Sequence, residues 1–418
     1  MRVLYFHQHF STPQGSAGIR SYEMARALVA RGHQVTMVCG SYGVGKTGLT
    51  SAFLKGMRRG VVDGIEVVEF ELVYSNHDSL LRRAGTFFKF AMRSVKLALT
   101  EPYDLLFATS TPLTAGIPGI VARWLRGSRF VFEVRDLWPE LPRDMGVIKN
   151  PVVLTLMGWL EWLSYHSAKK LIGLSPGIVA GITRRGVDTE DVALIPNGCD
   201  LVFFSEKSAA WRPDGVAAGD FMAVFAGTHG LANGLDAALS AAAELKRRGR
   251  FDIKLVLIGD GQLKCSLMAR AEREGLDTVV FCPPVNKGRL AGLMASTDLG
   301  MQLLANVPAF YYGTSPNKFF DYIAAGLPTL INYPGWLANL VKDHKSGLAV
   351  PPDSPTAFAD ALEYAADHRR EMKEMGERSL ELAISQFDRA ILAAKFVAWL
   401  EAASNVGQSA IRRNDVVS

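Results

Sequence analysis

Residues 221–259 read FMAVFAGTHGLANGLDAALSAAAELKRRGRFDIKLVLIG. The stretch opens with a short apolar run, and a glycine-rich turn at 227–234 follows it. Apolar residues then recur at helical spacing over 235–249, and a second apolar run covers 253–259. A strand, a helix and a second strand in this order predict a parallel sheet that is covered by helices.

The same alternation runs through both halves of the chain. In the first half the strand candidates are RVLYF, QVTMVC, GIEVVEF, DLLFAT and RFVFEV, and helical patterns lie between several of them. Residues 201–218 have no clean period and are predicted to be a linker. We therefore predict an α/β chain of two Rossmann-like, doubly wound domains that face each other across a cleft, with ligands at the carboxyl ends of strands. The predicted segments are domains at 1–200 and 219–384, and a helix with a flexible tail at 385–418, the helix returning to the first domain.

Composition places the chain among globular proteins and excludes several classes of site. Its 418 residues are 49% hydrophobic and 21% charged, which suits two folded domains. No apolar run of about 18 residues lacks a charge, and the start lacks the long apolar core of a signal peptide. The four cysteines are scattered, which argues against zinc and disulfides and predicts a cytosolic protein. The chain contains no Asp-x-Asp pair, so we expect no metal and no cofactor.

The best-formed site signal is GTSPNKFFDYIAAGLP at 313–328. Ser315 is predicted to cap a helix, and the free amides of that helix would favour a phosphate. Lys318 and Asp321 are three residues apart and share a face. They fit a nucleotide diphosphate, with Lys318 on phosphate and Asp321 on ribose hydroxyls. The alternative is a capped surface helix with an ion pair between these two residues.

Two further glycine-rich turns follow predicted strands. In FAGTHGLANG, Gly227 and its neighbours would let backbone amides approach a phosphate. In STPQGSAGIR, Gly15 and Gly18 would face the cleft from the other domain. Arg20 would either reach an anion or lie in solvent on its helix.

FEVRDLWPE at 132–140 ends a strand with a dense set of charges. Arg135 and Asp136 would lie at the carboxyl end of that strand, where sites of α/β proteins form. The alternative is a local network of salt bridges that also includes Glu133 and Glu140.

Residues 40–47, GSYGVGKT, match the pattern of a phosphate-binding P-loop. The apolar run QVTMVC precedes them, and GLTSAFLKGM could open the helix that a P-loop needs. A nucleotide hydrolase that uses Lys46 is therefore an alternative function. The match alone is weak, because the pattern also arises by chance in a glycine-rich chain.

Residues 80–100, LLRRAGTFFKFAMRSVKLALT, contain five basic residues and no acid. A basic helix with aromatics is typical of a membrane surface, and the predicted docking residues are Arg82, Arg83, Phe87, Phe88, Lys89 and Arg93. The alternative is a helix that covers the sheet. The apolar segment 151–165 is too short to span a bilayer and is predicted to be a buried helix.

Taken together, these stretches resemble the family 4 glycosyltransferases, which have the GT-B fold, over nearly the whole chain. The likeness lies in GSAGIRSYEMARALVARGHQVTMVC, FEVRDLWPE, LIGLSPGIVAGITRRGV, LIPNGCD, LIGDG and ASTDLGMQLL. Within that family the chain most resembles L-fucosamine transferases of bacterial O-antigen and lipopolysaccharide biosynthesis, through RDLWPE and SPNK.

The resemblance implies which residues form the site. The implied donor-binding residues are Gly15, Gly18, Gly227, Thr228, Val285, Thr314, Ser315, Asn317, Lys318 and Asp321, with the backbone of Val285 reading the base. The implied catalytic residues are Lys318, Asp321, Arg135 and Asp136.

The chain also departs from the family pattern. The Glu-x7-Glu pair falls at Gly313 and Asp321, so the first contact must come from elsewhere, such as the amides of Thr314 and Ser315. The family's Arg and Lys fall at Thr228 and Asn233, which makes Lys318 the replacement cation. The usual His falls at Arg135.

The resemblance implies a retaining, metal-independent transferase that moves an N-acetylated amino sugar from a nucleotide diphosphate, UDP in our prediction, to an acceptor. That acceptor would be polyprenyl-diphosphate-linked or another glycan, and the enzyme would work on the inner face of the cytoplasmic membrane in cell-surface polysaccharide synthesis. No nucleic acid partner is expected. A third alternative is a membrane-associated scaffold that has kept the GT-B fold without catalysis.

Overall fold

We analysed a computed structural model, which describes residues 1–15, 18–43, 45–74, 78–205 and 209–405. Eight strands lie in the first half, and in chain order they are β1 (Arg2–Phe6), β2 (Gln34–Tyr42), β3 (Met57–Val62), β4 (Ile65–Tyr74), β5 (Leu105–Thr109), β6 (Phe130–Val134), β7 (Lys170–Gly173) and β8 (Val192–Leu194). The helices of this half are α1 (Arg20–Ala30), α2 (Leu80–Thr100), α3 (Ile117–Arg126), α4 (Glu140–Asp144), α5 (Pro151–Ser167) and α6 (Pro176–Arg184).

The second half contains six strands, β9 (Phe221–Ala226), β10 (Ile253–Ile258), β11 (Val279–Cys282), β12 (Leu299–Gln302), β13 (Thr329–Ile331) and β14 (Gly347–Ala349). Its helices are α7 (Leu201–Ser205), α8 (Asp236–Arg247), α9 (Lys264–Glu274), α10 (Lys287–Met294), α11 (Pro308–Gly313), α12 (Asn317–Ala324), α13 (Trp336–Asp343), α14 (Pro355–Asp367), α15 (Arg369–Gln386) and α16 (Arg389–Asn405).

The chain divides into two compact units. Among the described residues, unit 1 contains Met1–Pro196, Gly313–Ser315 and 390–405, and unit 2 contains Asn197–Tyr312 and Pro316–Arg389. Unit 2 thus begins before the predicted linker at 201–218. That linker starts with the short helix α7, and Trp211 binds within unit 2 through a 2.6 Å bond to the carbonyl of Arg289. The tail predicted beyond residue 405 lies outside the described residues.

The sheet of unit 1 has the order β3-β4-β2-β1-β5-β6-β7-β8. Its pairs are parallel except β3 with β4, which is antiparallel. The strand order turns at β1, so the loop after β1 lies at a position where doubly wound folds bind ligands. The helix α16 packs on this unit, with Phe396 buried and its ring centroid 5.1 Å from that of Phe107.

The sheet of unit 2 has the order β11-β10-β9-β12-β13-β14, and every neighbouring pair is parallel. Its strands are almost continuous apolar runs because helices cover both faces. The order turns between β9 and β12. The prediction of two doubly wound α/β units is confirmed.

One local prediction is wrong, and one condition of the P-loop alternative is not met. Residues 48–56 form no helix after the GSYGVGKT stretch, and the chain passes instead into β3, an edge strand. The segment predicted as a buried helix is α5, and one face of it is exposed, with Val152, Leu156 and Trp159 each more than 60% accessible. A helix that is apolar on all sides suggests full burial, but here only one side packs on the unit.

Candidate functional site

A close backbone approach shapes the loop after β9, at the point where the strand order of unit 2 turns. The amide of Gly227 donates to the carbonyl of Ile258, the last residue of β10, at 2.9 Å. The residue that follows β10, Gly259, has a φ of +145°, and a Cβ there would overlap the carbonyl oxygen of Gly227. Glycine is therefore required at 259 by both its conformation and its contact. The result is a tight loop over the carboxyl ends of two neighbouring strands.

Lys318 reaches this loop from α12. Its Nζ donates to Oδ1 of Asn233 at 2.7 Å and lies 4.4 Å from the centre of the Phe225 ring. A Cβ added to Gly227 would lie 3.0 Å from Cε of Lys318, so the lysine also packs against the glycine turn. Burial lowers the pKa of Lys318 to about 7. A cation thus lies directly beside the glycine loop.

Asn233 holds the lysine in place. Its Nδ2 donates to the carbonyl of Thr228 at 2.8 Å, while its Oδ1 accepts from Lys318. Thr228 and Asn233 occupy the two positions where the resemblance to the family predicts an arginine and a lysine. The structure supplies the positive charge there from α12, which lies 85 residues further along the chain. Sequence analysis missed the Asn233–Lys318 bond, although it had singled out both residues.

Asp321 follows Lys318 by one turn of α12 but does not pair with it. No ion pair joins these two described side chains, so the predicted alternative of a simple surface pair is not formed. Burial raises the pKa of Asp321 to about 6, and the charge of Asp200 adds to this, while Lys287 and Arg389 oppose it. Asp200 itself binds Arg389 at 2.8 Å. Asp321 is therefore a partly buried carboxyl group beside a charged cluster.

The start of α12 differs from the prediction by one residue. Pro316, not Ser315, occupies the cap position, and it has no side-chain cap hydrogen bond. The amide of Phe319 donates to the carbonyl of Pro316 at 3.2 Å, so the amides of Asn317 and Lys318 are the ones left for another acceptor. Asn317 is exposed, and Gly313, Thr314 and Ser315 group with unit 1.

Val285, the predicted base contact, lies in the loop that follows β11. It is partly buried and packs against the apolar cluster on one face of the sheet. The next residue, Asn286, caps α10 by accepting from the amide of Arg289 at 2.9 Å. Because β9, β10 and β11 are parallel, the loops that follow them all lie at the carboxyl ends of the strands of unit 2.

In unit 1, the four charges of the FEVRDLWPE stretch do not form one network. Glu133 turns inward and binds Arg20, and Glu140 binds Arg184. Arg135 lies with Nη1 3.2 Å from Nε2 of His7, and Asp136 accepts from the hydroxyl of Thr111 at 3.0 Å. Burial raises the pKa of Asp136, against the opposing effect of Thr111 and Arg135. The alternative of a local salt-bridge network is therefore wrong.

His7 comes directly after β1, at the turning point of the strand order. Burial, with Arg135 and His9, holds the pKa of His7 well below its usual value, so the ring is neutral. The neutral ring can accept from Arg135 through Nε2. His9 lies among the rings of Tyr42 and Tyr74, with centroid distances of 5.0 and 4.6 Å. These two histidines are site candidates that sequence analysis did not assign, although their position after a strand was the signal.

The loop after β1 has a structural role at its far end. Gly15 closes a turn through its amide, which donates to the carbonyl of Thr12 at 3.1 Å, and Gly18 is exposed. Residues 16 and 17 lie outside the described part. Arg20 is buried and binds Glu133 at 2.8 Å, so it is neither exposed in solvent nor turned toward a ligand, and both interpretations made from the sequence are wrong.

The GSYGVGKT stretch does not form the strand, loop and helix of a P-loop in the described residues, which omit Val44. The backbone of Lys46 pairs with the loop after β1, since its carbonyl accepts from the amide of Thr12 at 2.8 Å. The Lys46 side chain is exposed, and the hydroxyl of Thr47 donates to Glu69. These contacts fix a surface loop.

The basic helix α2 is exposed on one side and packed on the other. Arg82, Phe88, Lys89 and Arg93 of the predicted docking set are exposed. The other two members turn toward the unit: Phe87 stacks on Tyr74 at 5.4 Å, and Arg83 lies 5.7 Å from the same ring. Among the described residues no helix is long and apolar enough to cross a membrane, and no cluster of three metal-ligating side chains occurs.

Comparison with known proteins gives matches over most of the chain. Residues 15–198 match the sequence model of the glycosyl transferase 4-like domain, and residues 220–368 match that of glycosyl transferases group 1. The chain is 29% identical over 219 residues to D-inositol 3-phosphate glycosyltransferase of Arthrobacter sp. strain FB24, covering 50% of each chain. It is 24% identical over 238 residues to D-rhamnosyltransferase WbpZ of Pseudomonas aeruginosa, covering 56% of this chain and 59% of WbpZ.

The matched part thus spans little more than half the length of these relatives. Among solved structures, Anabaena Alr3699/HepE in complex with UDP-glucose superposes with a TM-score of 0.69 at 18% identity. That match covers 96% of this chain and 100% of the other, and it supports the GT-B fold.

Proposed function

Because this chain belongs to the glycosyltransferases, we propose that it moves a sugar from a UDP-linked donor to an acceptor at a membrane surface. The observation that supports this most strongly is the position of Lys318 beside the glycine loop after β9. A diphosphate needs a cation and free amides, and both are present at this edge of unit 2. HepE, which has the same fold, binds UDP-glucose.

The donor would lie along the carboxyl edge of the sheet of unit 2. Lys318, the Gly227 loop and the first amides of α12 would hold the diphosphate, and Asp321 would accept from ribose hydroxyls. The backbone near Val285 would contact the base. Thr228 and Asn317 would line the same site of unit 2, while Thr314 and Ser315 group with unit 1 and remain predicted donor contacts. Gly15 and Gly18 remain predicted donor contacts of unit 1.

Catalysis would come from stabilisation of the leaving diphosphate. Negative charge grows on the phosphate as the bond to the sugar breaks, and a preorganised cation and amides stabilise that charge. We propose that transfer retains the anomeric configuration and needs no metal, with Lys318 in the place of a divalent cation. Arg135 and Asp136 would orient the acceptor in unit 1, next to the neutral His7.

The proposed substrate is an N-acetylated amino sugar, and the proposed acceptor is a polyprenyl-diphosphate-linked or other glycan of the cell surface. One relative of this chain, WbpZ, is named as a D-rhamnosyltransferase and therefore as an enzyme that transfers a sugar. The resemblance to L-fucosamine transferases supports the choice of amino sugar. The exposed basic side chains of α2 would place the enzyme on the inner face of the cytoplasmic membrane.

The test is release of UDP from a panel of UDP-sugars in the presence of a chelator, with a polyprenyl-diphosphate-linked glycan supplied as the acceptor. We expect turnover with at least one UDP-linked N-acetylamino sugar, and the anomeric coupling constants of the product should match those of the donor. Turnover that disappears with the chelator, or a product of inverted configuration, would contradict the proposed mechanism. A protein that binds UDP-sugars but never turns them over would be the non-catalytic scaffold.

A further inference from the structure

One face of α5 is apolar and exposed. Val152, Leu156 and Trp159 recur at helical spacing and are 66, 64 and 63% accessible, and Val153 and Trp162 extend the same surface. Contiguous exposed apolar surface of this kind marks an interaction site in a folded protein. The surface needs a partner of apolar character.

The charged residue of this helix faces the other way. Glu161 is the only acid of α5, and it is buried and bound to Arg185 at 2.6 Å. Tyr165 is also buried on the inner side. The outer face therefore carries aliphatic and tryptophan side chains and no acid, and the exposed ring of His166 stacks on Trp162 near its end, with the ring centroids 4.3 Å apart.

The apolar surface continues onto α3. Trp124 and Leu125 of α3 are each 71% accessible, and Nε1 of Trp124 donates to the hydroxyl of Ser167 at the end of α5. The α3 helix in turn packs on α2, where Arg126 donates to the carbonyl of Ala98 at 2.8 Å. The three helices thus form one continuous side of unit 1, and α2 adds the exposed Phe88.

The charged side chains of α2 and α3 have a single sign. Residues 80–100 and 117–126 contain seven Lys and Arg and no Asp or Glu. In the described part of the chain, Lys89, Lys96 and Arg123 are exposed and have no ion pair. Apolar side chains beside unpaired positive charges match the surface of an anionic bilayer, with tryptophan at the level of the headgroups.

We infer that the exposed face of α5, with Trp124 and Leu125 of α3, inserts into the surface of an anionic lipid bilayer while the basic residues of α2 bind its headgroups. This inference identifies the surface that binds the membrane in the proposed function. It rests on the proposed function, which gives the reason why the protein needs a membrane partner. A second copy of the chain is a poorer occupant, because a two-fold contact would bring the positive helices of both copies together. The helix lies on the membrane, since its 17 residues are too few to cross one.

The experiment is co-sedimentation of the full chain with vesicles of phosphatidylglycerol and, separately, of phosphatidylcholine. We expect binding to phosphatidylglycerol that weakens with salt, and a loss of about tenfold or more in Leu156→Glu/Trp159→Glu. The matched control is Phe251→Glu/Met268→Glu, which changes two exposed apolar residues of unit 2 and should bind vesicles normally. Calorimetric binding of UDP, which does not use this surface, reports that each variant is folded.

A milder variant gives an independent measurement. In Trp159→Phe/Trp162→Phe the face stays apolar, so vesicle binding should persist while the blue shift of tryptophan fluorescence on vesicle addition shrinks. An unchanged shift, or vesicle binding by Leu156→Glu/Trp159→Glu equal to that of the natural chain, would overturn the inference. So would a natural chain that ignores vesicles but is a dimer which these substitutions convert to a monomer. Failure to bind UDP with intact vesicle binding would instead count against the proposed donor site alone.

Discussion

Lys318 on α12 donates to Asn233 in the loop after β9, at 2.7 Å. The resemblance expected a cation at position 233 itself, and the chain has an amide there. The amide positions a cation that comes from another element. The positive charge at the glycine loop is therefore supplied by α12 and not by the loop itself.

This arrangement predicts a rescue. Lys318→Ala should lower kcat/KM by about 10²–10³-fold, because the leaving diphosphate loses its cation. Adding Asn233→Lys to that variant should recover part of the loss, since a lysine at 233 starts from the same loop. Lys46→Ala serves as the control and should leave kcat/KM unchanged. A double variant no better than Lys318→Ala would show that the position of the charge, and not its presence, is what matters.

The affinity for a UDP-sugar should fall both at low pH and at high pH. Lys318 has a pKa of about 7 in the free protein, so the affinity should fall as pH rises above 7 and the amine loses its proton. Asp321 has a pKa of about 6, so the affinity should also fall below 6 as the carboxylate is protonated. The diphosphate of a UDP-sugar does not titrate in this range. We expect Lys318→Ala to remove the alkaline limb and Asp321→Asn the acidic limb, and a flat profile for the natural chain would refute both assignments.

Asp321 should make the protein prefer UDP over analogues that lack a ribose hydroxyl. The natural chain is expected to bind UDP about tenfold or more tightly than its 2′-deoxy or 3′-deoxy analogues, since a lost charge-assisted hydrogen bond is worth about 1.5–3 kcal/mol. In Asp321→Ala that ratio should approach one, while the absolute affinity for UDP falls. Calorimetric titration of the ligands into both proteins gives the ratio directly. An equal ratio of the affinities for UDP and its deoxy analogues in the two proteins would show that another residue contacts the ribose.

The buried pair of Arg20 and Glu133 should act on stability and not on ligand binding. Glu133→Gln leaves a buried arginine without its counter-charge, and we expect a loss of about 3–5 kcal/mol in the free energy of unfolding of unit 1. Arg59→Ala breaks two solvent-exposed ion pairs, with Glu66 and Glu101, and each should contribute less than about 1 kcal/mol. Scanning calorimetry measures both. A Glu133→Gln protein with the stability of Arg59→Ala would contradict the burial of this pair.

Local apolar patterns predicted most of the strands, because a strand buried on both faces of a parallel sheet is a continuous apolar run. FMAVFAG and RVLYF are examples, and both form central strands. The edge strand β3, MRRGVV, was not predicted, since it is only partly buried and its alternation is short. The exposed face of α5 was also not predicted, because the sequence alone does not tell which side of an apolar helix finds a partner.

The candidate site was predicted in its parts but not in its contacts. Lys318, Asp321 and Gly227 were singled out from caps, spacing and glycine turns, which are local features. The bond from Lys318 to Asn233 joins residues 85 positions apart, and the burial of Arg20 depends on Glu133, which lies 113 positions away. Such long-range pairs come from the topology of the sheets. The P-loop match at 40–47 failed for the same reason, since the helix that gives the motif its meaning is absent from residues 48–56.

The central claim is that a diphosphate binds at Lys318 without a metal, and calorimetric titration with UDP and ATP, each with and without Mg²⁺, tests it most directly. The natural chain should bind UDP equally well in both conditions, and Lys318→Ala should lose that binding while Lys46→Ala keeps it. Binding of ATP that requires Mg²⁺ and disappears in Lys46→Ala, with UDP binding unaffected by Lys318→Ala, would contradict the account.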